Sequence, residues 1–217
     1  MLWFMYSNQD EVTPTENTTE TVVDSTKITT TPTLTNNTTN LVTNDSIKNV
    51  ALKNQLGAFA YGAQTATEGT SVIENDLLKL TVDNKGGQII EALVKTYKTY
   101  DSLPLYLIKN KNASFNINFG TTDNRILNTK DLLFVPTLTK NGENQVLSMK
   151  LKVSETQFLE YRYEMKPNNY MVDFAVRSQG LGNVINSSNT INLNWKLNAF
   201  RNEKSLSTEN MYSELKF

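Results

Sequence analysis

Acidic and basic side chains that alternate along one segment are the first candidates for chemistry in this sequence. Glu160, Arg162 and Glu164 are separated by single residues, so in a strand they would share one face and could form an acid–base cluster. Histidine and cysteine are absent from all 217 residues, which removes the commonest general base and every thiol nucleophile. Alternation with Tyr161 and Tyr163 is also typical of a solvated sheet face, and we favour that interpretation.

Two oxygen-rich turns and one aromatic stretch are the other candidates. Residues 83–87 and 141–144 carry oxygen donors beside glycine, but neither has the carboxylate spacing of a calcium loop. We interpret both as turns and expect no metal and no cofactor. Several aromatic residues stand near lysines and could form a stacking surface or contact lipid headgroups, although we expect them to belong to the core or its rim. These residues are Tyr97, Tyr100, Tyr106 and Phe115, with Lys95, Lys98, Lys109 and Lys111.

The overall charge gives no sign of a polyanionic partner. Lysine and arginine total 21 against 22 aspartates and glutamates, so no strong field would attract nucleic acid. We therefore expect no nucleic-acid partner. A chain of this length with 38% hydrophobic residues is typical of one globular domain with an appended segment.

The N-terminal part differs in composition from the rest of the chain. Residues 1–6 are all apolar or aromatic, but a membrane-spanning helix needs about 20 such residues. They are either an ordinary apolar terminus or the last turns of a transmembrane helix, whose acidic flank would place the following chain outside the cytoplasm. Residues 7–44 are rich in threonine and asparagine and predict a disordered linker.

The elements expected to position the candidate residues are one helix and many strands. Apolar residues spaced three and four apart predict a short amphipathic helix over residues 45–66, capped by Asp45 or Ser46 and carrying Ile47, Val50, Leu56 and Phe59. After Ser71 the apolar period falls to two, which predicts half-buried strands. The clearest are residues 115–119, 147–153, 161–165, 170–176 and 191–197.

These strands predict an all-β, mainly antiparallel sandwich. In one hairpin, a three-residue connection at residues 155–157 would place Lys152 opposite Glu160 and keep the apolar residues on one face.

The most informative segment is residues 71–90, SVIENDLLKLTVDNKGGQII. It predicts a strand, a tight turn and a returning strand, with Gly86 and Gly87 supplying the positive φ of the turn. The segment resembles the opening of the periplasmic domain of YidC-type insertases, as does VKTYKTY at residues 94–100. NWK at residues 194–196, RNEK at 201–204 and ENMY at 209–212 are similar to the family's tryptophan strand, charged turn and next strand.

The resemblance implies a β-supersandwich of the mutarotase-like shape in residues 71–217, incomplete at its C-terminus. MYSNQ at residues 5–9 resembles the tail of the family's signal anchor, so residues 1–6 would end a truncated transmembrane helix. The whole protein would be an insertase and chaperone of the bacterial inner membrane, with this part in the periplasm. Its partners would be nascent membrane proteins, the Sec translocon and the SecD and SecF subunits, but no motif marks the contacting residues.

The mutarotase-like shape also raises the possibility of sugar chemistry at Asp173, Glu160, Glu164 or Glu203. Mutarotases use histidine beside a carboxylate, and this chain has no histidine. We therefore expect no catalytic residues and no enzyme, because a shared shape does not bring shared chemistry. The alternative function is a membrane-anchored, non-catalytic β-sandwich that binds a protein or a glycan.

Overall fold

A computed structural model describes residues 38–213 of the chain. The predicted anchor at residues 1–6 and most of the predicted linker lie outside these residues. No helix in the described part is long and apolar enough to cross a bilayer. The strands are β1 Thr70–Glu74, β2 Leu78–Asp83, β3 Ile89–Lys98, β4 Pro104–Ile108, β5 Ala113–Gly120, β6 Ile126–Asn128, β7 Val135–Asn141, β8 Asn144–Lys152, β9 Phe158–Met165, β10 Val172–Gln179 and β11 Asn192–Leu197.

The helical segment before the strands is longer than predicted and is interrupted. Helix α1 (Thr38–Leu56) begins before Asp45 and Ser46, so neither residue caps it. A 3-10 turn over Gly57–Phe59 separates it from helix α2 (Ala60–Thr65), and Gly57 has a φ of +58°.

Only the end of this helical segment packs on the strands. Ile47 and Val50 are exposed, which contradicts the predicted apolar face in that part of α1. Phe59 is buried, with its ring centroid 5.4 Å from that of Phe119.

The strands form three sheets, in the orders β1-β2-β3-β4, β10-β9-β8-β7 and β11-β5-β6. All of their pairings are antiparallel. The sheets share one core, since buried residues from each belong to a single apolar cluster. The prediction of an all-β, mainly antiparallel sandwich is confirmed.

The predicted register of the β8–β9 hairpin was wrong by two residues. Glu160 lies opposite Lys150, and Lys152 lies opposite Phe158. The turn lies at residues 154–156 rather than 155–157, because the N–H of Val153 bonds to the carbonyl of Gln157 at 2.9 Å and continues this register. Since the side-chain period of a strand is two, the shift leaves every residue on its predicted face.

Two further predictions were wrong in their secondary structure. Residues 71–90, predicted as one strand and its return, contain β1 and β2, a turn, and the start of β3. Residues 209–212, predicted as a strand, lie in helix α3 (Leu206–Tyr212). Ser205 explains this helix, because its hydroxyl caps the first turn by accepting the N–H of Thr208.

Candidate functional site

The glycine turn between β2 and β3 is built into the core. Gly86 and Gly87 have φ values of +85° and +62°, as predicted. A methyl group on Gly87 would lie 3.0 Å from the ring of Tyr161, and the Gly87 carbonyl accepts a 2.6 Å hydrogen bond from the hydroxyl of Tyr163. The turn in the segment that carries the family resemblance therefore packs against a second sheet.

The alternating charges of β9 form structural contacts. Arg162 and Glu164 make an ion pair in which both side chains are largely buried, and the Glu164 carboxylate also accepts hydrogen bonds from the side-chain amides of Asn144 and Asn141. Together these contacts lower the pKa of Glu164 to about 2, and the hydrogen bond from Asn144 contributes most. A carboxylate of such low pKa is a poor general base at neutral pH.

The other candidate carboxylates are Glu160, Asp173 and Glu203. The first two make structural contacts on β9 and β10, and Glu203 lies apart from them. Glu160 accepts a hydrogen bond from Ser148. Asp173 lies opposite Glu164 on β10 and forms an exposed ion pair with Lys166, at 3.2 Å. Glu203 lies beyond β11, where its backbone carbonyl accepts a hydrogen bond from Arg201. The structure thus places three of the four carboxylates on β9 and β10 and leaves Glu203 apart.

The polar side chains of the oxygen-rich turns form hydrogen bonds with other residues of the domain. Asp83 accepts the N–H of Lys85, and the Asn84 side chain bonds to the carbonyl of Thr67 and the hydroxyl of Ser71. Asn141 and Asn144 hold Glu164. In the described part of the chain, no three acidic side chains cluster closely enough to hold a metal ion.

The structure separates the aromatic residues that were considered together. Tyr97 is exposed and lies 6.2 Å, between ring centroids, from Tyr170. The Lys109 ammonium lies 3.8 Å from the ring centroid of Tyr106, whereas Phe115 packs edge-on against Tyr161 in the interior. These residues form no single stacking surface.

The most unusual feature is an open apolar cleft that sequence reasoning missed. We define it as the space between β10 on one side and β5 with β11 on the other. It contains two pockets of about 310 Å³ and about 350 Å³. Phe115, Phe174 and Trp195 line the first, and Ile117 and Val176 line the second.

The apolar faces that border this cleft are uncovered. Trp195 is 71% exposed and Leu193 is 56% exposed, although their alternation predicted a half-buried strand. Phe174 and Val176 on β10 are exposed as well. The alternation identified the correct face of each strand, but a single strand carries no information about whether anything covers that face.

The described residues define an antiparallel β-sandwich domain. Its candidate charged groups make structural hydrogen bonds and ion pairs, and one apolar cleft is open to solvent. A sequence model described as the YidC periplasmic domain matches residues 70–214. The chain belongs to this family.

Several relatives support the assignment, and each is named as membrane protein insertase YidC. The protein of Parabacteroides distasonis is 35% identical over 80% of this chain and 27% of its own length. The proteins of Phocaeicola vulgatus and Porphyromonas gingivalis are each 35% identical, over 72% and 80% of this chain and 25% and 27% of their own lengths. The chain therefore spans about a quarter of these relatives. No solved structure matches it.

Proposed function

We propose that this chain is the periplasmic part of a protein that inserts and folds integral membrane proteins in the bacterial inner membrane. The match of the periplasmic-domain model to residues 70–214 carries the proposal. The names of the relatives support it, since each is a membrane protein insertase. The residues that perform insertion would lie in the part of such proteins that this chain does not cover.

The domain itself would not be an enzyme. Glu164 is held as an anion by Arg162, Asn141 and Asn144, and Asp173 pairs with Lys166. These carboxylates stabilise the sheet, and none has a neighbouring histidine, because the chain has none. Its role would be to stand beside the membrane core and contact partners.

The expected partners follow from the family. They are nascent membrane proteins at the membrane core, the Sec translocon, and the SecD and SecF subunits. Residues 1–6 would be the end of a signal-anchor helix and residues 7–44 a tether, of which the structure describes only 38–44, within α1. The alternative, a membrane-anchored binding module for a protein or a glycan, is favoured by one observation, the open apolar cleft.

Sequencing the gene on both sides of this segment distinguishes the two functions. An insertase requires several hydrophobic stretches of about 20 residues each after Phe217 and the start of one before Met1. A stop soon after Phe217 would instead support the anchored binding module. In spheroplasts of the source bacterium, added protease should cleave the domain without detergent, whereas protection until detergent is added would contradict a periplasmic location.

A further inference from the structure

The β7–β8 hairpin turns at an asparagine that is followed by glycine. Asn141 is the one asparagine among the 217 residues that has glycine after it. It is the last residue of β7 and pairs with Asn144, the first residue of β8, so Gly142 and Glu143 form a two-residue turn. Gly142 has a φ of +61°, as the first residue of a type II′ hairpin turn requires. The asparagine and the glycine therefore lie at the tip of this sheet.

The tip of the hairpin is open to solvent. Asn141, Gly142 and Glu143 are all exposed. A methyl group on Gly142 would meet no atom within 4 Å. Within residues 38–213, the Gly142 N–H makes no hydrogen bond. Water therefore reaches this part of the backbone, and no packed neighbour prevents it from rotating.

An asparagine before a glycine can lose its side-chain amide without an enzyme. The backbone nitrogen of Gly142 attacks Cγ of Asn141 and closes a succinimide ring. The Cγ–Nδ2 bond breaks, and the proton of the Gly142 N–H leaves with the nitrogen as ammonia. Water then opens the ring at either carbonyl, which gives aspartate or isoaspartate. Glycine favours ring closure because it has no Cβ to obstruct it and has a permissive backbone.

The amide at risk is one of the donors that hold Glu164. Nδ2 of Asn141 donates to Oε1 of Glu164 at 3.2 Å. Asn144 donates to the same oxygen at 2.7 Å, while Arg162 pairs with the other oxygen. Because its bond is the longer of the two, Asn141 is the more loosely held amide. Its Cγ can therefore leave Glu164 and approach the Gly142 nitrogen.

We propose that Asn141 is a site of spontaneous deamidation and that the product loosens the β7–β8 hairpin. In the aspartate product, a carboxylate oxygen replaces Nδ2 beside Oε1 of Glu164, so a like charge takes the place of a donor. In the isoaspartate product, the main chain is one carbon atom longer, and a two-residue turn no longer sets residue 141 opposite Asn144. The inference does not depend on the proposed insertase function.

Incubation of the folded protein near neutral pH, followed by peptide mass spectrometry with an unincubated blank, tests the site. The chain supplies its own control, because Asn144 contacts the same carboxylate but precedes Gln145, whose Cβ obstructs ring closure. Deamidation at Asn141 should be at least about tenfold faster than at Asn144. Asn141→Gln should abolish the product at this position, because glutamine would need a larger ring. Equal rates at the two asparagines, or reaction only after unfolding in urea, would overturn the proposal.

The effect of the product on the hairpin is tested with Asn141→Asp, which reproduces the aspartate form. In urea unfolding, its equilibrium constant for unfolding should be about tenfold higher than that of the wild type, from the lost donor and the added like charge. Asn194→Asp adds the same charge at an exposed position of β11 and should change this constant by no more than about twofold. Wild-type stability of Asn141→Asp, or an equal loss in Asn194→Asp, would overturn the claim that deamidation loosens the hairpin.

Discussion

Tyr161 and Tyr163 differ in what their hydroxyl groups contact, although both rings are buried in the core. Burial raises the pKa of both phenols, that of Tyr161 to about 12; the nearby Thr129 hydroxyl lowers the pKa of Tyr161 in part, although the two hydroxyls do not meet hydrogen-bond geometry. Tyr163 donates a hydrogen bond to the Gly87 carbonyl. Among residues 38–213, the Tyr161 hydroxyl has no partner at hydrogen-bond geometry.

Replacing each tyrosine with phenylalanine should therefore have opposite effects on stability. Tyr163→Phe should lower the free energy of unfolding by about 1–3 kcal/mol, because it leaves a buried carbonyl without its donor. Tyr161→Phe should leave this free energy unchanged or raise it, because it removes a buried group that has no partner. Urea unfolding of both variants and the wild type measures the difference, and equal losses would contradict the assignment.

The ionisation of Glu164 should make stability depend on pH in the acid range. Hydrogen bonds, the one from Asn144 first and the one from Arg162 second, lower its pKa from the ordinary value of 4.5 to about 2 in the folded protein. The ionised form is favoured by folding, so its contribution is fully present above about pH 4.5 and is lost as the pH falls toward 2. Glu164→Gln should flatten the stability profile across that window.

The matched control for this change is Glu143→Gln, at the exposed β7–β8 turn. Thermal unfolding of both variants and the wild type at several pH values between 5 and 2 supplies the profiles. If Glu164→Gln follows the wild-type slope while Glu143→Gln changes it, the ion-pair assignment on β9 is wrong.

Among the turns, the β2–β3 turn at Gly86 and Gly87 packs against the core and the β7–β8 turn does not. Comparing them shows how much this packing contributes to stability. Gly87 and Gly142 have nearly the same φ, +62° and +61°. A methyl group on Gly87 would press on the Tyr161 and Phe134 rings, whereas one on Gly142 would meet no atom within 4 Å. Both changes to alanine force an unfavourable backbone, at about 1–3 kcal/mol.

Gly87→Ala should therefore destabilise the protein more than Gly142→Ala does. Urea unfolding of the two variants gives the loss of unfolding free energy for each. The amount by which the loss for Gly87→Ala exceeds that for Gly142→Ala measures the packing of the turn against the core. If the two losses are equal, the β2–β3 turn does not press on Tyr161 as the structure indicates.

The elements also show how far the sequence alone could lead. The period of two identified β5, β8, β9, β10 and β11 and the apolar face of each, and the glycine pair at residues 86 and 87 identified a turn with positive φ. The Lys152–Glu160 pairing was wrong because two registers that differ by two residues satisfy the same face pattern. The start of α1 was missed because threonine and asparagine are weak helix formers, and the sequence gives them no clear helical period.

In the molecule as a whole, the structural role of the candidate charged groups was predicted from the sequence, whereas the open cleft was not. Glu160, Arg162 and Glu164 share one face of β9 and make structural contacts, but the prediction that this face is solvated was wrong, since the Arg162 and Glu164 side chains are only 18% and 13% exposed. The open cleft was not predicted, because it arises from the arrangement of three sheets and from what does or does not cover β10 and β11. Its exposed apolar residues, among them Phe174 and Trp195, depart from the pattern of a closed sandwich.

The most direct test of the proposed insertase function is depletion of the full-length protein in the bacterium that carries this gene. Newly made inner-membrane proteins are pulse-labelled, and their insertion is followed by protease accessibility from the periplasmic side. If the proposed function is right, several of them lose periplasmic cleavage on depletion and regain it when the full-length gene is restored. Normal insertion of all of them after complete depletion would contradict the claim that this chain is part of a membrane protein insertase.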